Sequence, residues 1–244
     1  DEELGRLTVM PFWGLVPSIF VSSYLVDKFS CKLVYLIGNL ILLVGLLLSS
    51  FSTSLGFLSF SLFVMGFGSG SLDMVLSPIV AALNPNSKAS SMNFLHALYP
   101  LGAIITTLIG LLALKFDWGW GGACLILCVF CGVPVVGIMG RDFPKLGGGE
   151  NEGEEKTNGE AGDESLTALA KDYWFVFSLF AIFFGGSTEM GLAQWLPTYA
   201  VTELSFGGHI GPLSLTVFSV AMLVGRLLVA KLSETYSGYR ILII

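Results

Sequence analysis

Two carboxylates stand inside long apolar stretches of this sequence, Asp73 and Glu189, and they are the first candidates for chemistry. An ionisable group within an apolar span is costly unless it is satisfied, so it is a functional hypothesis by default. Asp73 ends the run Gly66-Phe67-Gly68-Ser69-Gly70-Ser71-Leu72-Asp73, whose glycines would let helices approach closely. A carboxyl in low dielectric can exchange a proton near neutral pH. Asp73 is therefore the expected ion-coupling residue, with sodium ligation or a structural tie to a neighbouring helix as alternatives. Glu189 has Gln194 and Trp195 one to two turns on. Acid, amide and indole together suit a sugar, whose hydroxyls and C–H face they can hold. Glu189 and Trp195 are, however, about 240° apart on a regular helix. One ligand could touch both only if the helix broke at Gly185 and Gly186. The competing role for Trp195 is an interfacial anchor beside Pro197 and Tyr199. Asn93 and His96, three apart, share a helix face. They are candidates for substrate binding or for a structural network. Asn39 is expected to act as interhelical glue.

A second set of charges sits at the ends of apolar runs. Ser23-Tyr24-Leu25-Val26-Asp27-Lys28-Phe29-Ser30-Cys31-Lys32 follows the first run. Ala230-Lys231-Leu232-Ser233-Glu234-Thr235-Tyr236-Ser237-Gly238-Tyr239-Arg240 follows the last full one. Each has a small residue, three residues, an acid, a tight turn and a base. The acids Asp27 and Glu234 are 207 positions apart, the interval expected of a repeated helical half. Asp27, Lys28, Lys32, Glu234 and Arg240 are the principal charges of the two segments, with Arg226 shortly before the second.

The elements that would carry these residues are membrane helices. Hydrophobic residues make up 54% of the chain and charged residues 12%, about half the charge density of a soluble domain, roughly 25%. Mean hydropathy is +0.79. Runs long enough to span a bilayer lie at 8–26, 33–52, 56–83, 92–114, 118–140, 173–200 and 209–232, and residues 241–244 read as the start of another. Pro78 and Pro197 offer bends in the two longest. Lys28, Lys32, Lys88, Arg141, Lys145, Lys156, Lys171, Lys231 and Arg240 fall in one set of connectors, and Arg6 and Lys115 in the other. The first set is therefore expected to be cytoplasmic. Trp118 and Trp120 read as belt residues on the opposite side.

The formal net charge of −6 is mostly local: residues 141–172 hold nine of the eighteen acids and four of the twelve bases. That Gly-, Glu- and Asn-rich segment is expected to be a flexible cytoplasmic linker. The domains expected are 1–140, a first bundle; 141–172, the linker; and 173–244, the start of a second bundle. Cys31, Cys124, Cys128 and Cys131 are read as small packing residues, with no metal site. No cofactor is expected, no nucleoside-triphosphate-binding sequence is present, and nothing is basic enough for nucleic acid. An enzyme is not indicated. The chain begins with Asp and shows no signal peptide, which suggests an excerpt or a processed chain.

The two charged segments resemble the loop between helices 2 and 3 of major facilitator superfamily transporters, G-x-x-x-D-R/K-x-G-R/K-R/K, and its echo between helices 8 and 9, which implies that Asp27, Lys28, Lys32, Arg226, Glu234 and Arg240 are candidate gate residues. Ser23 and Ser30 stand for glycines, Cys31 for a base, and Glu234 for Asp; Gly225-Arg226 matches the start of the second motif. The run Gly66 to Pro78, followed by Met92-Asn93-Phe94-Leu95-His96-Ala97-Leu98-Tyr99-Pro100-Leu101-Gly102-Ala103, is similar to helices 4 and 5 of the fucose–proton symporter and sodium-dependent glucose transporter branch. Ser77 replaces the usual Asn. Gly186 to Tyr199 resembles helix 7 of the same group. The resemblance implies an incomplete all-α membrane bundle, family helices 2 to 8 and the beginning of 9, with helix 1 absent. It implies alternating-access transport of a small solute, a sugar by preference, coupled at Asp73 to protons or sodium. A facilitator or exporter of another organic solute, and a truncated membrane protein that does not transport, are the rival expectations.

Overall fold

The computed structural model describes residues 2–138, 140, 170–207 and 210–236. Seven long helices run through them: α1 Glu2–Lys28, α2 Cys31–Ser50, α3 Leu55–Leu83, α4 Lys88–Lys115, α5 Gly119–Ile138, α6 Tyr173–Thr202 and α7 Ile210–Thr235. All seven are long and apolar enough to cross a membrane. Each expected span falls on one of them, with edges that move by a few residues. The fold is an all-helical membrane bundle, and the protein is a multi-pass integral membrane protein. Pro78 and Pro197 lie inside α3 and α6 without ending either. Most of the segment 141–172, along with Arg240 and 241–244, lies outside the described residues.

Lipid offers no partner for backbone or hydroxyl groups, so helices must satisfy their own. Ser61 donates to the Phe57 carbonyl, Ser71 to Phe67 and Thr107 to Ala103, each one turn back. Ser30, Ser54 and Asp172 cap the first turns of α2, α3 and α6. Asn39 is buried, yet its amide donates to the Tyr35 carbonyl of its own helix at 3.1 Å. The expected interhelical tie is thus replaced by a bond within α2.

Two compact units divide the chain, Asp1–Gly148 with Thr216–Ile244, and Gly149–Leu215. In the first, α3 is central, packing against α1 and α2 and more lightly against α4; α5 packs against α2 and α4. Glycines set these contacts. A Cβ on Gly66 would overlap the Pro11 backbone of α1, and one on Gly68 would lie 2.8 Å from the Gly38 oxygen and from the Leu42 Cα of α2. Across the same seams, Gly14 abuts the Phe63 backbone and Gly45 abuts Met65. The small residues let three backbones approach closely. Ser50 at the end of α2 donates to the Gly121 carbonyl of α5 at 2.9 Å. In the second unit, Gly211 at the start of α7 sits against the Pro197 carbonyl of α6.

Gly68→Ala should destabilise the bundle by about 1–3 kcal/mol through overpacking. Gly102→Ala in α4, where a Cβ meets nothing within 4 Å, should be neutral or stabilising by up to about 1 kcal/mol. Unfolding in detergent checks the pair; equal effects at the two glycines would refute the close-packing account.

Candidate functional site

Asp73 is carried by the face of α3 that faces away from the packed seam. Ser71 and Val75, two residues to either side, are buried at 3% and 1% exposure, whereas Asp73 is exposed. The helix thus holds the carboxylate rigidly from behind and leaves it open in front. His96 of α4 is also exposed. Asn93, one turn from His96, donates its amide to the Ala89 carbonyl of its own helix at 3.0 Å.

Glu189, Gln194 and Trp195 lie in the second unit on α6, which is unbroken from Tyr173 to Thr202. The break at Gly185 and Gly186 needed to bring Glu189 and Trp195 to one ligand is therefore not there. A continuous helix sets Gln194 about 140° and Trp195 about 240° around from Glu189. Glu189 and Gln194 are half-buried, and Trp195 is 46% exposed, as an anchor facing lipid would be.

Of the candidate gate residues, Asp27, Lys28, Lys32 and Glu234 lie at helix ends, and Arg240 lies outside the described residues. Asp27 and Lys28 close α1, and the Lys28 ammonium lies 4.4 Å from the centre of the Tyr24 ring. The turn to α2 is two residues long. Ser30 has φ −68° and ψ 143°, extended backbone, and its hydroxyl accepts from the Leu33 N–H at 3.3 Å. A glycine is not required there; a capping side chain is of more use. Cys31, at a basic position of the motif, is 5% exposed and packs with Val34, Tyr35, Val75 and Ile79. A charge has been exchanged for an apolar anchor between α2 and α3. Lys32 is half-buried in the first turn of α2.

At the other repeat, Glu234 in the last turn of α7 accepts a hydrogen bond from the Ser90 hydroxyl at 3.0 Å. A carboxylate is unfavourable at the C-terminal end of its own helix, but Ser90 lies in the first turn of α4, where the helix dipole favours negative charge. The contact crosses 144 positions of sequence. Arg226 is half-buried on α7, about 12 Å along the helix from Glu234 at 1.5 Å per residue. Ser90 is the partner of Glu234 that the motif did not reveal.

An open apolar groove runs along α1 between Val9, Phe12, Trp13, Val16, Pro17 and Phe20. It offers no polar group to orient a sugar. No cluster of three or more His, Cys, Asp or Glu side chains able to hold a metal is found among the described residues.

A double-mutant cycle on Ser90→Ala and Glu234→Ala should give a coupling energy of about 1 kcal/mol. Thermal unfolding of the four proteins measures it, and strict additivity would show that the contact contributes nothing.

Comparison with known proteins gives the family. The family model for the Major Facilitator Superfamily matches residues 1–244. Protein TsgA of Salmonella schwarzengrund (strain CVM19633) is 24% identical over 193 residues, covering 77% of this chain and 46% of TsgA. Protein TsgA of Salmonella enteritidis PT4 (strain P125109) and of Salmonella newport (strain SL254) match at the same identity and coverage. The chain thus spans about half the length of these curated relatives. No solved structure gives a significant match. With seven spanning helices in series and a family match from its first residue to its last, the chain belongs to the Major Facilitator Superfamily.

Proposed function

We propose that this chain provides the translocating helices of a secondary transporter that moves a small solute by alternating access, with Asp73 as the ion-coupling residue. The bundles would be 1–140 and 173–244, joined by 141–172 on the cytoplasmic side, with solute held between them near mid-membrane. The observation that carries this reading is the carboxylate of Asp73, exposed on a helix whose opposite face is packed through glycines. Membership of a transporter family supports it and points away from an enzyme. A sugar is the favoured solute, with Glu189 as the group on α6 that would hold it. The contact between Glu234 and Ser90 would close the cytoplasmic gate, together with Asp27, Lys28, Lys32 and Arg226.

A second reading keeps transport and changes the cargo. The unbroken α6 separates Glu189 from Trp195, which weakens the combined acid-and-aromatic grip that a sugar site uses and favours another small organic solute.

Proteoliposomes containing the longest natural form of the protein test both. Under an inward proton gradient, labelled hexose should accumulate; Asp73→Asn should abolish accumulation and retain exchange. Accumulation unchanged in Asp73→Asn would remove the coupling role. Glu189→Gln should lower uptake about tenfold, equivalent to about 1.4 kcal/mol, while Trp195→Phe should change it less than about twofold. No uptake of any hexose would favour the second reading.

A further inference from the structure

The rotational setting of α1 is fixed by its seam with α3. Ser18 and Ser22 are buried at 0% and 2% exposure, and a Cβ on Gly70 of α3 would run into the Ser18 hydroxyl. Leu25 and Val26 pack on the cluster around Cys31, Val75 and Ile79. Tyr24, two residues beyond Ser22, is therefore turned outward and is 58% exposed. Lys28 follows it at i+4, the spacing that places two side chains on one helix face. Its ammonium lies 4.4 Å from the centre of the Tyr24 ring, inside the roughly 6 Å at which the face of a ring attracts a cation.

Lys28 is a base of the first gate segment, and its charge is turned back along its own helix. Tyr24 stands between Ser23 and Asp27, where the loop motif sets no residue type. The other charges of the two segments are placed differently. Asp27 is exposed about 100° around α1 from Lys28. Lys32 is half-buried in the first turn of α2, and Glu234 receives the Ser90 hydroxyl.

We propose that Tyr24 is a positioning residue of the gate: its ring holds the Lys28 ammonium along α1 and so opposes the use of that charge to draw the helix ends together. This rests on the gate role proposed for Lys28 and names the residue that tunes it. One ammonium cannot lie over the ring and meet a carboxylate of another helix end at the same time, so the two placements compete. A ring contact at an exposed site shifts such a balance by only about two- to fivefold. A gate that opens and closes in every cycle needs a balance of that kind, because a charge committed wholly to one partner would hold one state. The contact uses the electron-rich face of the ring and not the phenol hydroxyl. Phenylalanine can therefore replace tyrosine, and leucine cannot.

The test uses the longest natural form of the protein in nanodiscs. Reductive methylation with isotope-labelled formaldehyde keeps the lysine charge and gives each ammonium an NMR signal; Lys28→Arg identifies that of Lys28 by its loss. The ring should displace this signal upfield in the unsubstituted protein and in Tyr24→Phe. Tyr24→Leu should return it to the position of a solvated lysine. Hydrogen exchange on unmethylated protein then reads the gate. In Tyr24→Leu, protection of the first turn of α4 and the last turn of α7, where Ser90 meets Glu234, should rise about two- to fivefold. In Tyr24→Phe it should not change. Combined with Lys28→Gln, Tyr24→Leu should have no further effect, whereas a ring that merely packs would act with or without the lysine. A Lys28 signal indifferent to Tyr24→Leu, protection that fails to rise, or an equal rise in the Lys28→Gln background would overturn the proposal. Labelled hexose separates the levels. Exchange that responds as expected in a protein that takes up no hexose removes the sugar reading and leaves the control of the helix ends by Tyr24 standing.

Discussion

The close approach of α3 to α1 and α2 is the constraint on which the rest depends. Lipid tails are as apolar as the helices, so burial of apolar surface does little to hold spans together; packing and small residues must. Here Gly66 faces one neighbour and Gly68 the other, and each neighbour presents glycines of its own, Gly14 on α1 and Gly38 and Gly45 on α2. At Gly14, Gly45, Gly66 and Gly68 no Cβ fits without backbone movement, and at Gly38 the neighbouring side chains would have to give way. One consequence is rotational: once those seams are fixed, the orientation of α3 is fixed, and with it the direction of every other side chain on the helix. Asp73 points away from the packed seam because Ser71 and Val75 point into it.

Charge is used sparingly and by position. Most acids and bases of the described helices lie near a helix end, while Asp73, Glu189 and Arg226 lie within one. Glu234 ends α7, where its own helix opposes a carboxylate, and the first turn of α4 offsets this through Ser90. The departures from the superfamily's loop motif follow the same economy. Ser30 caps α2 where a glycine would only permit a turn, and Cys31 joins an apolar cluster where a base would remain in water. The first repeat has therefore moved part of its stabilisation from charge to packing. The second has kept an acid and gives it a hydroxyl partner.

How the candidate site was legible depends on the residue. Asp73 stood out because a carboxylate in an apolar run has few explanations. Glu189 and Trp195 stood out for the same reason of type, but their joint action required a break that residue spacing alone could only pose as a condition; α6 answers it by running straight through two glycines. Glycine lowers the cost of a break without imposing one, and in lipid an intact hydrogen-bonded helix is strongly preferred. Asn39 was legible as buried but not as bonded, since an amide in a helix can reach its own carbonyl one turn back as readily as another helix.

The sequence by itself determined the number of helices, their extents to within a few residues, their alternation of direction and their superfamily. All of these follow from apolar run length, from connector charge and from motifs local in the chain. Tertiary structure alone decided which residues meet. Ser90 and Glu234 are 144 positions apart, and Ser50 reaches Gly121 across 71. The face each helix shows its neighbour is set by which glycines meet across a seam, and that is a property of two surfaces at once, which no single run of sequence contains.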